Sequence, residues 1–215
     1  MRIVYLAISL LLLSCSISRA QQSLTIGLGK PLTTHSTNDI IGSPYLTENF
    51  QNGEVTTPGN HTLTGIQLRY NIYDQTVECM VNNQVFDVTD SVTSFSYTDS
   101  AMQVNSFFKP ATFSSKNAKT IYYKSLVKGN FSLIKSYEAE ITSDEDWYTK
   151  KVTKKYVIKS DYFLFADNKV TKFGTSKKSF ITAFNNNPAV KGQLDKGTPD
   201  FKDESSLINF FKALK

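Results

Sequence analysis

The stretch Ile66-Gln-Leu-Arg-Tyr-Asn-Ile-Tyr-Asp-Gln-Thr-Val-Glu-Cys-Met-Val-Asn-Asn-Gln-Val-Phe-Asp-Val88 decides the fold class. Ile66, Leu68, Tyr70 and Ile72 alternate with Gln67, Arg69, Asn71 and Tyr73, the period-2 pattern of a half-buried strand. Asp74-Gln75 can serve as a two-residue loop, a register that opposes Ile72 to Val77, Tyr70 to Cys79 and Leu68 to Val81. Asn82-Asn83 makes a second tight turn, because Asn tolerates positive φ, and opposes Cys79 to Phe86 and Val77 to Val88. The pattern predicts an antiparallel meander with one apolar face.

Downstream the strand signals continue. Phe95 and Tyr97 alternate with polar neighbours, and Lys128-Gly129-Asn130 marks a turn between Ile121-Tyr-Tyr123 and Phe131-Ser-Leu133. Tyr137, Ala139 and Ile141 alternate again, and Tyr156-Val-Ile158 and Tyr162-Phe-Leu-Phe165 are rich in strand formers. Asp167-Asn168-Lys169 turns the chain into Val170-Thr-Lys-Phe173. The expected fold is mainly β, an antiparallel meander sheet shaped as a sandwich or partial barrel, with a short C-terminal helical segment. In that segment Thr175 or Ser176 caps a helix carrying Phe180, Ile181 and Phe184, and Asn185-Asn-Asn-Pro188 breaks it. A polar stretch then leads through Lys196-Gly-Thr-Pro199 to Asp203, the N-cap of a last helix with Leu207, Phe210, Phe211 and Leu214 on one stripe.

Upstream lies an export signal. Met1-Arg2 precedes an apolar run from Ile3 to Leu13, too short to span a bilayer and right for a signal-peptide core. Ser18-Arg-Ala20 offers cleavage before Gln21, while Leu12-Leu-Ser-Cys15 resembles a lipobox whose Cys15 would carry acyl chains. The sequence therefore divides into a signal peptide (1–20), a β-rich domain (21–174) and a helical tail packed on that same domain (175–215), with no transmembrane helix in the mature chain. Loss of Arg2 and Arg19 leaves 22 basic against 19 acidic side chains, lowering the net charge from +5 to +3. This mild charge argues against a nucleic-acid partner. Cys79 alone remains, which excludes an internal disulfide.

Gly42-Ser-Pro-Tyr-Leu46, Asn49-Phe50, Gly53-Glu-Val55 and Leu68-Arg-Tyr-Asn-Ile-Tyr73 together resemble a run found in uncharacterised secreted proteins of Bacteroidota. The tail is similar too, from Lys177-Lys-Ser-Phe180 to the closing helix that begins at Asp203-Glu204. The resemblance implies export from a Gram-negative cell and lends no catalytic residue.

The chemistry-bearing residues are few. His35 and His61 sit in polar, turn-like contexts without ligand spacing, so no metal and no cofactor is expected. Glu138, Glu140, Asp144, Glu145 and Asp146 form an acidic run, and Thr142 to Asp146 reads as a loop between strands. Two opposed carboxylates beside aromatics would suit glycoside hydrolysis. Lys150, Lys151, Lys154, Lys155 and Lys159 read as a solubilising edge. Trp147, between Asp146 and Tyr148, is the aromatic outside the alternating positions, where a ring can stack on a sugar or a partner surface. Trp147, Tyr148 and Asp146 are therefore the candidate binding residues, and no catalytic residue is assigned. The sequence predicts an exported, non-enzymatic binding or structural protein of the bacterial envelope, periplasmic or secreted, with an envelope protein or glycan as partner. The alternatives are a secreted glycan or peptide hydrolase using Glu138 to Asp146, and a lipoprotein anchored through Cys15.

Overall fold

The computed structural model describes residues 29–32, 39–110, 121–174, 176–184 and 186–214. The signal segment with Cys15 and Gln21, together with His35 and Thr175, lies outside them. The first strands are β1 (Lys30–Pro31), β2 (Ile40–Ile41), β3 (Gln51–Thr56), β4 (Thr62–Asn71), β5 (Thr76–Val81) and β6 (Gln84–Asp87). A single 3-10 turn at Thr89–Ser91 leads to β7 (Ser94–Thr98), β8 (Val104–Phe108) and β9 (Tyr123–Val127). Then come β10 (Ser132–Glu145), β11 (Val152–Ala166) and β12 (Lys169–Lys172), followed by helices α1 (Lys177–Ala183), α2 (Pro188–Lys196) and α3 (Glu204–Ala213). The strands form one open sheet in the order β1-β6-β5-β4-β3-β7-β8-β9-β10-β11-β12. Its pairings are antiparallel except for β2, which runs parallel beside β11.

The meander from β4 to β6 forms, with its first register shifted by two. Tyr70 opposes Val77 and Leu68 opposes Cys79, rather than Cys79 and Val81. The cause is Asn71. Its side-chain oxygen accepts the N–H groups of Tyr73 and Asp74, both at 3.0 Å, and this side-chain turn starts the loop before Ile72 can join the ladder. Gln75 closes the loop at φ 59°. A shift of two keeps every side chain on its expected face, so the apolar face survives the change. The second turn is as expected: Asn82 and Asn83 take φ of 50° and 63°, and Cys79 opposes Phe86.

Ile72 and Gln75 do other work. The Ile72 N–H donates to the Pro44 carbonyl at 2.8 Å, and its own carbonyl accepts from the Ala139 N–H on β10 at 3.0 Å. Gln75 Nε2 donates to the Tyr137 carbonyl, also on β10, while its Oε1 accepts from the Tyr70 hydroxyl and the Ile121 N–H. The β4–β5 turn thus caps the edge of β10 beyond the end of β9. The sheet curls around an aromatic core in which Tyr70, Phe95, Phe107 and Tyr122 pack with centroids 4.8–5.9 Å apart. On the outside, Glu78 is buried but receives Arg69 at 2.6 Å, and that guanidinium stacks on the Tyr45 and Phe50 rings.

A second core lies under the helices. Ser176 caps α1 by accepting from the Ser179 N–H, and Asp203 caps α3 by accepting from the Ser206 N–H. Leu207, Phe210 and Phe211 of α3 are buried against Phe173, Phe180, Phe184 and the sheet residues Leu133 and Leu164. The polar stretch before Lys196 is not a loop but α2. Asn187 caps it, Pro188 occupies its first turn, and Val190 and Leu194, one turn apart, are its buried side. Lys135 of β10 ties α3 to the sheet through Glu204 at 2.6 Å, and the Tyr162 hydroxyl donates to the same carboxylate at 3.0 Å.

Candidate functional site

The two short β signals around Phe131 and Tyr137 are one strand, β10, and those around Tyr156 and Tyr162 are another, β11. The two strands pair without a break from Ser132 opposite Phe165 to Glu145 opposite Val152. At about 3.4 Å per residue this hairpin is roughly 45 Å long. Its root packs in the cores through Leu133, Ile134 and Leu164, whereas residues 143–152 are all exposed. The distal half is an arm.

The acidic run is therefore strand as far as Glu145, not loop. Asp, Glu and Ser are poor strand formers, so the run reads locally as a turn. Pairing with the lysine-rich strand overrides that preference: Lys159 meets Glu140, Lys155 meets Asp144 at 2.6 Å, and Lys150 of the turn meets Glu145 at 3.3 Å. The expected solubilising lysines thus include three that neutralise acids of β10. These pairs are exposed, and each contributes at most about 1 kcal/mol.

Register sorts the arm into two faces. Glu138, Glu140, Asp144, Lys155 and Lys159 share one, and Ala139, Ile141, Tyr156, Ile158 and Val152 share the other. The apolar face is partly covered near the body, where Tyr73 packs edge-on against Tyr156 with centroids 5.5 Å apart. Ile158, on the body side of Tyr156, and Val152, out by the tip, are half exposed.

The tip is a turn pinned by Asp146. Its carboxylate accepts the N–H groups of Tyr148 and Thr149 and the Thr149 hydroxyl, at 2.7–3.0 Å. Those hydrogen bonds, led by the Thr149 N–H, hold its carboxyl below the usual carboxylate range. Backbone bonds from Asp146 N–H to the Lys151 carbonyl and from Lys150 N–H to the Asp146 carbonyl complete the turn, with Lys150 at φ 59°. Trp147 and Tyr148 stand on this base 79% and 82% exposed, edge to face at 5.5 Å. Asp146, Trp147 and Tyr148 are thus brought together, with Asp146 as the scaffold and the two rings as the presented surface.

The acids singled out in the sequence divide. Glu138 and Glu140 line a depression of about 600 Å³ beside Asp74 and Gln75, while Asp144, Glu145 and Asp146 lie out on the arm. His61 is exposed between β3 and β4. Among the described residues no three His, Cys, Asp or Glu side chains gather as a metal site, and no helix is long and apolar enough to cross a membrane. Sequence reasoning missed the exposed apolar side chains Val152, Ile158 and, on β2 beside the arm, Ile41. The available signal was that Val152 and Ile158 share their parity with Lys154, a solvent-facing position.

No protein-family model, curated protein or solved structure matches the chain.

Proposed function

We propose that the mature chain is an exported, non-enzymatic binding component of the bacterial envelope, and that the β10–β11 arm is its docking element. One observation carries the reading: two large aromatic rings, almost fully exposed, sit on a hydrogen-bonded turn at the end of a long paired hairpin. Exposed tryptophan and tyrosine cost solubility without adding stability, and such rings are the side chains that most often dominate binding surfaces. The rigid base keeps the ordering cost of binding low. The apolar run Ile3–Leu13 and the Ser18-Arg-Ala20 cleavage pattern support export. Division of the acidic run between the arm and the body favours binding over hydrolysis. Affinity capture from the native envelope, with mature protein and a Trp147→Ala/Tyr148→Ala variant in parallel, tests the proposal. A defined partner retained by the first and lost by the second supports it. The same partners on both contradict it.

A further inference from the structure

The sheet face opposite the aromatic core carries a feature that the arm does not explain. Ser96 of β7 opposes Ser106 of β8, and one step along the next ladder Ser106 adjoins Ser125 of β9. Glu54 of β3 continues the row on one side and Ile134 of β10 on the other. Ser94 lies in the neighbouring row, opposite Phe108. Serine has no strand preference and buries almost nothing, so such a row adds little to sheet stability. Its effect is to leave the floor of the sheet low. The result is a trough of about 510 Å³, in the roughly 300–1,000 Å³ range of small-ligand sites. Phe108 of β8 and Phe165 of β11 line it, packed edge to face at 5.4 Å.

We propose that this trough binds a short neutral oligosaccharide. The hydroxyls of Ser94, Ser106 and Ser125 make no hydrogen bond to protein within the described residues, and a hydroxyl can both donate and accept, as each sugar hydroxyl does. The aromatic wall offers an apolar surface for the C–H face of a pyranose ring. Among the described residues the trough holds one acid, Glu54, which already accepts from Ser96, and one base, Lys128, with no excess of either charge to select an ionic ligand. An extended peptide gains affinity by pairing its backbone, and here the β7 backbone in the floor is paired with β3 on one side and β8 on the other, while β8 pairs β7 along its length and β9 at Phe107 and Phe108.

The test is an NMR titration of isotopically labelled mature protein with cellotetraose, chitotetraose and maltotetraose, and with a capped tetra-alanine peptide. Saturable shifts at the Ser94, Ser96, Ser106 and Ser125 amides are expected with at least one of the sugars and not with the peptide. The Ser106→Ala/Ser125→Ala variant, which changes only solvent-facing hydroxyls, is expected to raise Kd about tenfold. Phe165→Ala should weaken binding similarly, and the serine variant keeps the test valid if loss of that ring unfolds the chain. The Trp147→Ala/Tyr148→Ala variant should bind unchanged, which separates this site from the arm. No shift with any sugar, undiminished affinity in the serine variant, shifts confined to the arm, or preferential binding of the peptide would each overturn the proposal.

Discussion

Phe211 is the residue on which docking of the helical tail depends. It is fully buried, and its ring packs against Phe173, Phe180, Phe184 and Phe210 with centroids 5.7–6.3 Å apart. Truncation to alanine removes the transfer energy of the ring and leaves a cavity that four other rings cannot readily fill, a loss of about 3–5 kcal/mol. For a chain of this size each kcal/mol lowers Tm by about 2–4 °C, so Phe211→Ala should lower Tm by about 6–20 °C in a calorimetric scan. Phe211→Leu keeps most of the volume and should cost under about 1.5 kcal/mol. A shift below about 2 °C for the alanine variant would mean that α3 does not pack on the sheet in solution.

Cys79 is 2% exposed and burial pushes its thiol up to about 11, so a thiol reagent at pH 8 should label it only after denaturation; rapid labelling of native protein would contradict its place in the meander. Burial opposes ionisation of Glu204, but the hydrogen bonds and charge of Lys135 and the bond from Tyr162 outweigh it, holding the carboxyl below its ordinary 4.5. Its contribution to stability is therefore complete above about pH 4.5 and is lost as pH falls through the lower folded-state value. Urea midpoints between pH 6 and pH 3 should accordingly fall less steeply for Glu204→Gln, and an unchanged slope would refute the assignment. Trp147→Ala should change stability by less than about 0.5 kcal/mol, since the ring is 79% exposed and rests edge to face on Tyr148. As the sole tryptophan, Trp147 should also give the native protein the red-shifted, readily quenched emission of indole in water.

Period-2 alternation exposed the sheet, because Ile66 to Tyr70 report their faces locally. The loop after Asn71 did not read correctly, since a side-chain turn competed with the shorter Asp74-Gln75 loop that spacing alone favours. Helix α2 carried its own signal in Asn187-Pro188 with Val190 and Leu194, but surrounding polarity masked it. The arm was illegible for a different reason. Asp144 and Glu145 become strand only because Thr153 and Val152 lie across from them, and the lysines that neutralise the acids are supplied by the partner strand and the turn. Of the candidate site, the residues Asp146, Trp147 and Tyr148 were legible from composition, and their rigid presentation was not. The serine trough could not be read at all. The members of its row lie between positions 96 and 125 on three strands, and only their register brings them together.

Site-specific photo-crosslinking tests the arm most directly. Benzoyl-phenylalanine placed at Tyr148, and separately at the exposed Lys196 at the end of α2, would be activated in intact cells of the native host. A discrete crosslinked species from position 148, absent from position 196 and lost on adding Trp147→Ala, is the predicted result. No adduct from position 148, or the same adducts from both positions, would contradict the arm as a docking element.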